Sequence, residues 1–316
     1  MSALDLTAHW PVGNVAAGWI DRSGRRATCG DTDRPFGLAS VTKPLVATAV
    51  LVAIEEGSLA LDGPAGPEGA TLRHLLAHAS GLGDRVDEPL AAVGARRIYS
   101  NAGFEVIGRE LAAATGIPAN RYLDEAVVEP LGLTATDLVG SPAHGARSSV
   151  DDLLALAAEW LRPTLLDPST MAEATTTQFP HLIGVLPGYG RQDPNPWGLG
   201  FEIKGAKSPH WTGVDNSPST YGHFGRAGTF VWVDPERGVA CAVLTDRDFG
   251  SWAVPLWPAL ADAVLAEAAR PAGGLKSPVT PPMEPPAHVP APVDVNAQPR
   301  RDPRPRDAAS GRSPVR

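Results

Sequence analysis

Apolar and polar residues alternate near the start of the chain in a way that predicts a β-hairpin. Over residues 15–20 the two-residue repeat places Val15 and Trp19 on the same face of an extended segment. A polar turn follows at residues 21–24, and the extended pattern resumes at residues 26–30. Two extended segments joined by a short polar turn are typical of antiparallel strands.

From Val41 the repeat becomes helical. Leu45, Ala49 and Ala53 fall on one helical stripe, further apolar residues lie beside it, and the pattern ends at Gly57. A helix that is apolar around so much of its girth needs to be enclosed by the rest of the protein. The sequence therefore predicts a central helix.

Helical patterns also dominate the middle of the chain. Helices are predicted over residues 72–77, 104–115 and 119–128, and in a segment opened by Ser149 with Asp151 and Asp152 in its first turn. Residues 164–220 are rich in Pro, Gly, Asn and Asp and are predicted to form loops, with one strand at residues 198–204.

Strand alternation returns towards the end of the chain. Strands are predicted over residues 229–234 and 239–245, and a helix over residues 257–269 with Pro258 in its first turn. Because strands come from both chain ends, we expect an α+β fold with one antiparallel sheet and flanking helices. A mostly helical lobe, about residues 60–165, is inserted into it.

Composition changes after residue 270. Residues 271–316 contain many prolines, few large apolar residues and repeated Pro-Arg and Arg-Pro steps. We assign residues 1–270 to one domain and residues 271–316 to a disordered tail. Lys and Arg outnumber Asp and Glu in this tail, so it could bind the acidic body or a partner, but a solvated extension is the simpler interpretation.

The charge and hydropathy of the chain exclude some partners. A formal net charge of -8 over 316 residues gives no general attraction to nucleic acid or anionic lipid. The most apolar stretch, residues 44–54, is about half the roughly 20 residues that a membrane span needs. The first residues lack the apolar run of a secretory signal. We expect a cytoplasmic protein without a membrane span, and the oligomeric state stays open.

Neither cysteine belongs to a spacing that binds metal. Cys29 and Cys241 are far apart, and no Cys-x-x-Cys or Cys/His pattern surrounds them. We interpret them as reduced strand residues, although a disulfide between neighbouring strands is an open alternative. The sequence predicts no metal and no cofactor, so that chemistry must come from ordinary side chains.

A serine at the start of the predicted central helix is the first candidate for such chemistry. Ser40 and Lys43 are spaced i, i+3 and share one helical face, so the ammonium group can approach the hydroxyl. The Ser40 N–H, unpaired at the helix start, can help to stabilise an oxyanion. Taken alone, the pair is more simply an N-cap serine and a surface lysine.

Two further strings supply possible partners. Tyr99 and Asn101 offer a proton-transfer group and an amide. His223, Phe224 and Gly225 open a predicted strand, and the missing side chain of Gly225 would let a substrate lie against the backbone. Each string is weak by itself, because a lone tyrosine is more often a packed aromatic residue.

In order and spacing, the three strings resemble the serine β-lactamase and D,D-peptidase superfamily, specifically its class C β-lactamase and esterase-like branch. Three other segments are similar to that branch, namely LLAHASGL at residues 75–82, PLGL at residues 130–133 with Thr136, and WGLGF at residues 197–201. The resemblance runs from about residue 15 to residue 268. It implies a three-layer α/β/α fold of the β-lactamase type.

The resemblance also implies a serine hydrolase. Ser40 would attack an ester or amide carbonyl and form an acyl-enzyme. Either Lys43 takes the proton because its pKa is lowered, or Lys43 keeps Tyr99 anionic and Tyr99 takes it. Asn101 would hold the substrate or Lys43, and His223 would orient the leaving group or steady Tyr99.

The same resemblance implies an oxyanion hole and a structural segment. The backbone N–H groups of Ser40 and Arg226 would bind the oxyanion, with Gly225 just before Arg226. His78 and Ser80 belong to a segment whose implied role is structural rather than catalytic.

One departure from the family pattern favours an ester over a β-lactam. Phe224 stands where β-lactamases and peptidases of the family carry a hydroxyl that binds the carboxylate of the substrate. Losing that donor should cost on the order of 1 to 3 kcal/mol. The short connection between Ser80 and Tyr99 should also leave the cleft open. We therefore expect a small-molecule ester or amide substrate and little β-lactamase activity.

Other functions stay open from the sequence. A β-lactamase, a D,D-peptidase or a D-amino-peptide hydrolase would use the same catalytic residues. A non-catalytic member could keep the pocket to bind a ligand or partner, but such a protein is expected to lose Ser40, Lys43 or Tyr99, and all of these are present.

Overall fold

The structure is a computed structural model that describes residues 2–84 and 88–271. Its strands are β1 (Val15–Asp21), β2 (Arg26–Cys29), β3 (Phe36–Gly37), β4 (Asp137–Leu138), β5 (Ala146–Ser148), β6 (Gly184–Leu186), β7 (Gly190–Gln192), β8 (Glu202–Ile203), β9 (Tyr221–Gly225), β10 (Thr229–Asp234) and β11 (Val239–Thr245). Its α-helices are α1 (Thr42–Glu55), α2 (Leu72–Leu76), α3 (Asn101–Thr115), α4 (Ala119–Leu123), α5 (Glu129–Leu131), α6 (Val150–Leu161), α7 (Pro168–Ala174) and α8 (Ala253–Ala268). Short 3-10 helices cover Ala3–His9 and Ala39–Val41, and a π-helical segment covers Asp124–Val128.

Strands from both parts of the chain form one antiparallel sheet in the order β2-β1-β11-β10-β9-β8. Within it, β1 pairs with β11 from Val15 opposite Thr245 to Asp21 opposite Val239. The first hairpin and strands β10 and β11 form where the sequence predicts them. The predicted sheet, built from distant parts of the chain, is therefore confirmed.

Helices cover both faces of this sheet. Ala242 and Leu244 of β11 belong to the core on the side of α1 and α6, whereas Cys241 and Val243 belong to the core on the side of α8. The alternation along β11 thus separates two buried clusters. This three-layer arrangement confirms the predicted α+β fold class.

The first helix lies in the larger of the two cores, as its sequence pattern predicts. Leu45, Ala49 and Val50 are fully buried. The Thr48 hydroxyl accepts from the Trp160 indole N–H at 3.0 Å and donates to the Pro44 carbonyl at 2.8 Å. The buried hydroxyl of this helix is therefore hydrogen-bonded inside the core.

Residues 164–220 were predicted as loops with one strand, and this was wrong in part. Helix α7 and the β6–β7 hairpin form there, and the strand predicted at residues 198–204 is shortened to β8. Asp167 caps α7 by accepting from the Ser169 N–H at 2.8 Å, and Pro168 occupies its first turn. These are ordinary helix-start signals, but they are hidden in a segment rich in loop-forming residues.

Two boundaries differ from the prediction. Helix α8 begins at Ala253, so Pro258 lies inside it rather than in its first turn. Ala253, Trp257 and Ala261 are buried on one stripe of this helix. The free energy gained by their burial outweighs the cost of the backbone hydrogen bond that Pro258 cannot donate. His223 to Gly225 close strand β9 rather than open a strand.

The remaining expectations about the chain are met to different extents. Cys29 and Cys241 are both free thiols, as predicted, and burial raises the pKa of Cys241. Across the described residues, no helix is long and apolar enough to cross a membrane. Residues 272–316 of the predicted tail lie outside the described residues, so the tail and the domain boundary stay predictions.

Candidate active site

Ser40 lies in a short 3-10 turn directly before α1. The preceding residue, Ala39, has a positive φ of 47°, which is uncommon for a residue with a side chain. The Leu38 carbonyl accepts a hydrogen bond from the Thr229 hydroxyl at 2.8 Å, which fastens this turn to β10. The strained turn presents Ser40 to the cleft between the sheet and the helical lobe.

The Ser40 hydroxyl accepts a hydrogen bond from the Tyr99 phenol, with 2.7 Å between the two oxygens. Tyr99 is positioned by the start of α3, where the Ser100 hydroxyl accepts from the Gly103 N–H at 2.8 Å and donates to the Gly83 carbonyl at 2.5 Å. Burial raises the pKa of Tyr99, and the hydrogen bond with Ser40 opposes this only in part. The resting tyrosine is therefore a protonated phenol.

Lys43 is fully buried beside this pair. Its Nζ donates to Asn101 Oδ1 at 2.6 Å and to the Ala143 carbonyl at 2.9 Å, and lies 4.6 Å from the centre of the Tyr99 ring. Burial lowers the pKa of Lys43 to about 7, although the carboxylate of Asp84 acts in the opposite direction. Lys43 is thus partly an uncharged amine at neutral pH. Of the two roles expected for Asn101, contact with Lys43 is the one seen.

His223 lies in the middle of β9 and is uncharged. Its Nδ1 donates to the Phe224 carbonyl at 2.7 Å, because a carbonyl can only accept, and burial lowers the pKa of His223 to about 3. The Nε2 lone pair has no hydrogen-bond partner among the described residues. The imidazole and Tyr99 rings lie 5.9 Å apart, so His223 meets Tyr99 by ring packing.

Gly225 allows the end of β9 to approach the serine turn. A Cβ atom on Gly225 would lie 2.4 Å from the Leu38 carbonyl oxygen and 3.1 Å from the Ala39 Cβ. The sequence predicts that the missing side chain makes room for substrate, whereas the structure fills that room with the protein's own backbone. The close approach brings Arg226 to the same cleft as Ser40, where both backbone N–H groups are candidates for the oxyanion hole.

Phe224 presents a hydrocarbon ring to the cleft. Its ring packs 5.0 Å from that of Phe249 and 5.9 Å from that of Trp257, measured between ring centres. The position therefore offers no hydroxyl to a substrate carboxylate.

A buried ionic cluster next to His223 was missed by the sequence analysis. Glu202 lines the cleft and lies opposite Gly222 in the sheet. Its carboxylate accepts from Lys207 Nζ, from His210 Nε2 at 3.0 Å and from Trp211 Nε1 at 2.8 Å. Burial would raise the pKa of Glu202, but His210 and Lys207 together hold it well below its usual range. The sequence offers one signal of this cluster, which is that Glu202 stands within an otherwise apolar predicted strand.

Arg97 was also missed. Its buried guanidinium donates to the carbonyls of Ala77, Asn195 at 3.1 Å and Gln178 at 2.7 Å, and burial lowers its pKa to about 9. It ties together segments that surround Tyr99. No spacing in the sequence marks this role.

The cleft as a whole has a volume of about 850 Å³. Ser40, Tyr99, Asn101, His223, Phe224 and Arg226 all line it. His78 is buried below Tyr99, and its Nδ1 accepts from the Ser100 N–H at 3.1 Å, which is a structural contact. The predicted residues thus meet around one cavity, with Lys43 underneath.

Comparison with known proteins identifies the family. The model of the Beta-lactamase family matches residues 1–266. Esterase EstB of Burkholderia gladioli is 29% identical over 79% of this chain and 86% of its own length. A putative D-alanyl-D-alanine carboxypeptidase of Salmonella heidelberg is 26% identical over 51% of this chain and 48% of its own length.

Solved structures agree with this assignment. A crystal structure described as a beta-lactamase (Mb2281c) from Mycobacterium bovis is 56% identical, with a TM-score of 0.83 over 84% of this chain and 99% of that chain. EstCE1, described as a hydrolase with promiscuous acyltransferase activity, shares the fold at 20% identity and a TM-score of 0.67, over 83% of this chain and 96% of its own. The chain belongs to the Beta-lactamase family and is a serine hydrolase.

The hydrogen bond between Tyr99 and Ser40 yields the first prediction. Tyr99→Phe removes only the hydroxyl that contacts Ser40, and loss of such a proton-transfer group should slow acylation about 100- to 10,000-fold. Stopped-flow measurement of acylation with a p-nitrophenyl ester tests this. Tyr221→Phe is the matched control, because the Tyr221 hydroxyl donates to the Trp160 carbonyl at 2.9 Å and does not line the cleft. Equal acylation rates in the two variants would contradict the assigned role.

Burial of Lys43 yields a prediction about stability. Its pKa of about 7 in the folded protein is below the ordinary value of 10.5, so between these values the unfolded chain binds a proton that the folded chain does not. The free energy of unfolding should therefore rise with pH in this window. Urea titrations of the wild type and Lys43→Met isolate the effect. The wild type should gain stability relative to the variant from pH 7 to pH 10, and a difference independent of pH would contradict the shifted pKa.

Proposed function

We propose that this member of the Beta-lactamase family hydrolyses uncharged carboxylic esters through an acyl-enzyme on Ser40. The observation that carries the proposal is the 2.7 Å hydrogen bond between Ser40 and Tyr99, set beside the buried Lys43. Covalent catalysis requires a nucleophile, a base hydrogen-bonded to it and a group that controls the charge of that base. Ser40, Tyr99 and Lys43 would supply these in turn.

The contacts favour one proton route. Lys43 donates to Asn101 and Ala143, whereas the side chain bonded to Ser40 is Tyr99. In the proposed first step substrate binding frees the Tyr99 O–H from Ser40, and the phenol proton passes to the uncharged Lys43 amine. Because burial raises the pKa of Tyr99 and lowers that of Lys43, the phenolate forms only transiently. The resulting phenolate then takes the Ser40 proton as the Ser40 oxygen bonds to the ester carbonyl. The ammonium group of Lys43 stabilises the phenolate through its charge.

Collapse of the tetrahedral intermediate releases the alcohol. The N–H groups of Ser40 and Arg226 bind the oxyanion while the carbon–oxygen bond of the ester breaks, and Tyr99 returns its proton to the leaving alkoxide. Water then attacks the acyl group while Tyr99 takes a proton from it, and Tyr99 passes this proton to Ser40 as the bond between the Ser40 oxygen and the acyl carbon breaks. Lys43 finally returns its proton to Tyr99. The products are the free acid and the alcohol, and Ser40 is restored.

The lining of the cleft favours an ester over a β-lactam. Phe224 is a hydrocarbon ring with 8% of its surface exposed, and it offers no hydroxyl to the carboxylate that a β-lactam carries. The other charged side chains of the lining are of both signs, Asp84 and Glu105 against Arg109 and Arg226, so the choice rests on position 224. The name of the relative EstB supports the same choice.

The test combines labelling with turnover. A fluorophosphonate probe should label the wild type and Ser80→Ala, in which a buried serine outside the cleft lining is changed, but not Ser40→Ala. Turnover of p-nitrophenyl butyrate should exceed that of nitrocefin by about 5- to 160-fold, since the missing carboxylate partner costs about 1 to 3 kcal/mol. Faster nitrocefin turnover would make the protein a β-lactamase. A wild type that takes no label would make it a binding protein.

A further inference from the structure

The cleft has two chemically different walls. The helical wall is polar, because Asn101, Glu105 and Arg109 lie on successive turns of α3 and all line the cleft. Ser40 meets this wall through Tyr99, which directly precedes the helix and its N-cap.

The opposite wall is apolar apart from His223, Glu202 and Arg226. It is formed by the tip of the β6–β7 hairpin, the end of β9 and the segment after β11, and its hydrocarbon side chains are Leu186, Pro187, Phe224 and Phe249. The serine turn meets this side at Gly225, which follows Phe224 and lies so near the turn that a Cβ on it would be 3.1 Å from the Ala39 Cβ. The reacting hydroxyl therefore lies where the polar and apolar walls meet.

Phe249 connects the apolar wall to the candidate oxyanion hole. Its N–H donates to the Arg226 carbonyl at 2.7 Å, and its ring lies 5.0 Å from the ring of Phe224. The other edge of the Phe249 ring packs on the hairpin tip, where a Cβ on Gly188 would lie 2.6 Å from Phe249 Cε1. The ring is half-buried, so part of it is open to a ligand.

The geometry points to a substrate subsite on this wall that takes the hydrocarbon part of an ester, with Phe249 as its specificity-determining residue. This inference rests on the proposed function. The hydrocarbon part belongs either to the acyl group or to the alcohol. Four hydrocarbon side chains exclude water from it, and each methylene buried there should raise kcat/KM about fourfold. A carboxylate at the end of the same chain would lose its hydration among these four side chains, and on this wall only the exposed Arg226 carries a cationic donor.

Two series of esters test the subsite and distinguish acyl from alcohol. One varies the acyl chain from acetate to octanoate as p-nitrophenyl esters, and the other varies the alcohol of alkyl acetates. In the wild type, kcat/KM should rise about fourfold per methylene in one of the series. Phe249→Ala should flatten that rise, so that kcat/KM for the six-carbon ester falls at least tenfold below the wild-type value. Val254→Ala, an exposed valine of α8 outside the cleft, should leave it unchanged.

Further variants keep the test decisive if Phe249→Ala fails to fold. Phe249→Leu retains an apolar side chain and should preserve most of the rise. Pro187→Asp places a carboxylate at the exposed hairpin tip and should lower the ratio of long-chain to acetate kcat/KM at least tenfold. With the wild type, an adipate monoester should react more slowly than the hexanoate ester of the same alcohol.

The outcomes separate this inference from the proposed function. Two results overturn the subsite alone, provided that fluorophosphonate labels the wild type. One is a wild-type kcat/KM that does not change with chain length in either series. The other is a wild-type profile that is unchanged in all three variants, Phe249→Leu, Phe249→Ala and Pro187→Asp. A wild type that takes no fluorophosphonate label overturns the proposed function instead.

Discussion

Burial of the Lys43 amine is the physical constraint around which the rest of the site is arranged. A charged ammonium loses its hydration inside a protein, so the group needs neighbouring acceptors or a lowered pKa. Here it has both, because Asn101 and the Ala143 carbonyl accept its hydrogen bonds and burial lowers its pKa to about 7. That burial in turn requires α1 to lie in the core, and the apolar sequence of α1 provides this. The same residues therefore serve folding and chemistry.

The second constraint is the close approach of chain segments that are distant in sequence. The serine turn is held by the Thr229 hydroxyl and is met by Gly225, while Tyr99 reaches Ser40 from the start of α3. Pairing of β1 with β11 places residues 15–21 against residues 239–245. Because the turn touches the sheet and Tyr99 comes from the helical lobe, small shifts in either would alter the distance between Ser40 and Tyr99. Arg97 and the cluster around Glu202 fix neighbouring segments in the same way.

The sequence could predict the parts of this fold that depend on local patterns. The repeat along α1, the alternation in β1, β10 and β11 and the Ser149 cap are each read from neighbouring residues, and they appear where expected. Ser40, Lys43, Tyr99 and His223 were predicted as site residues because their order and spacing resemble a known family, and the structure brings them together at one cleft, with Lys43 beneath it. Helix α7 was not predicted, because its start signals lie among loop-forming residues. The ion pair of Glu202 with Lys207 and the carbonyl contacts of Arg97 depend on tertiary contacts, which leave no regular spacing in a sequence.

A rapid-quench experiment tests the central claim most directly. The protein is mixed with a p-nitrophenyl ester, quenched in acid within milliseconds and digested, and the peptides are mapped by mass spectrometry. We predict a mass increase equal to one acyl group on the peptide that contains Ser40, and on that serine when the peptide is fragmented. An acyl group found on another residue, or ester turnover without any acylated peptide, would contradict it.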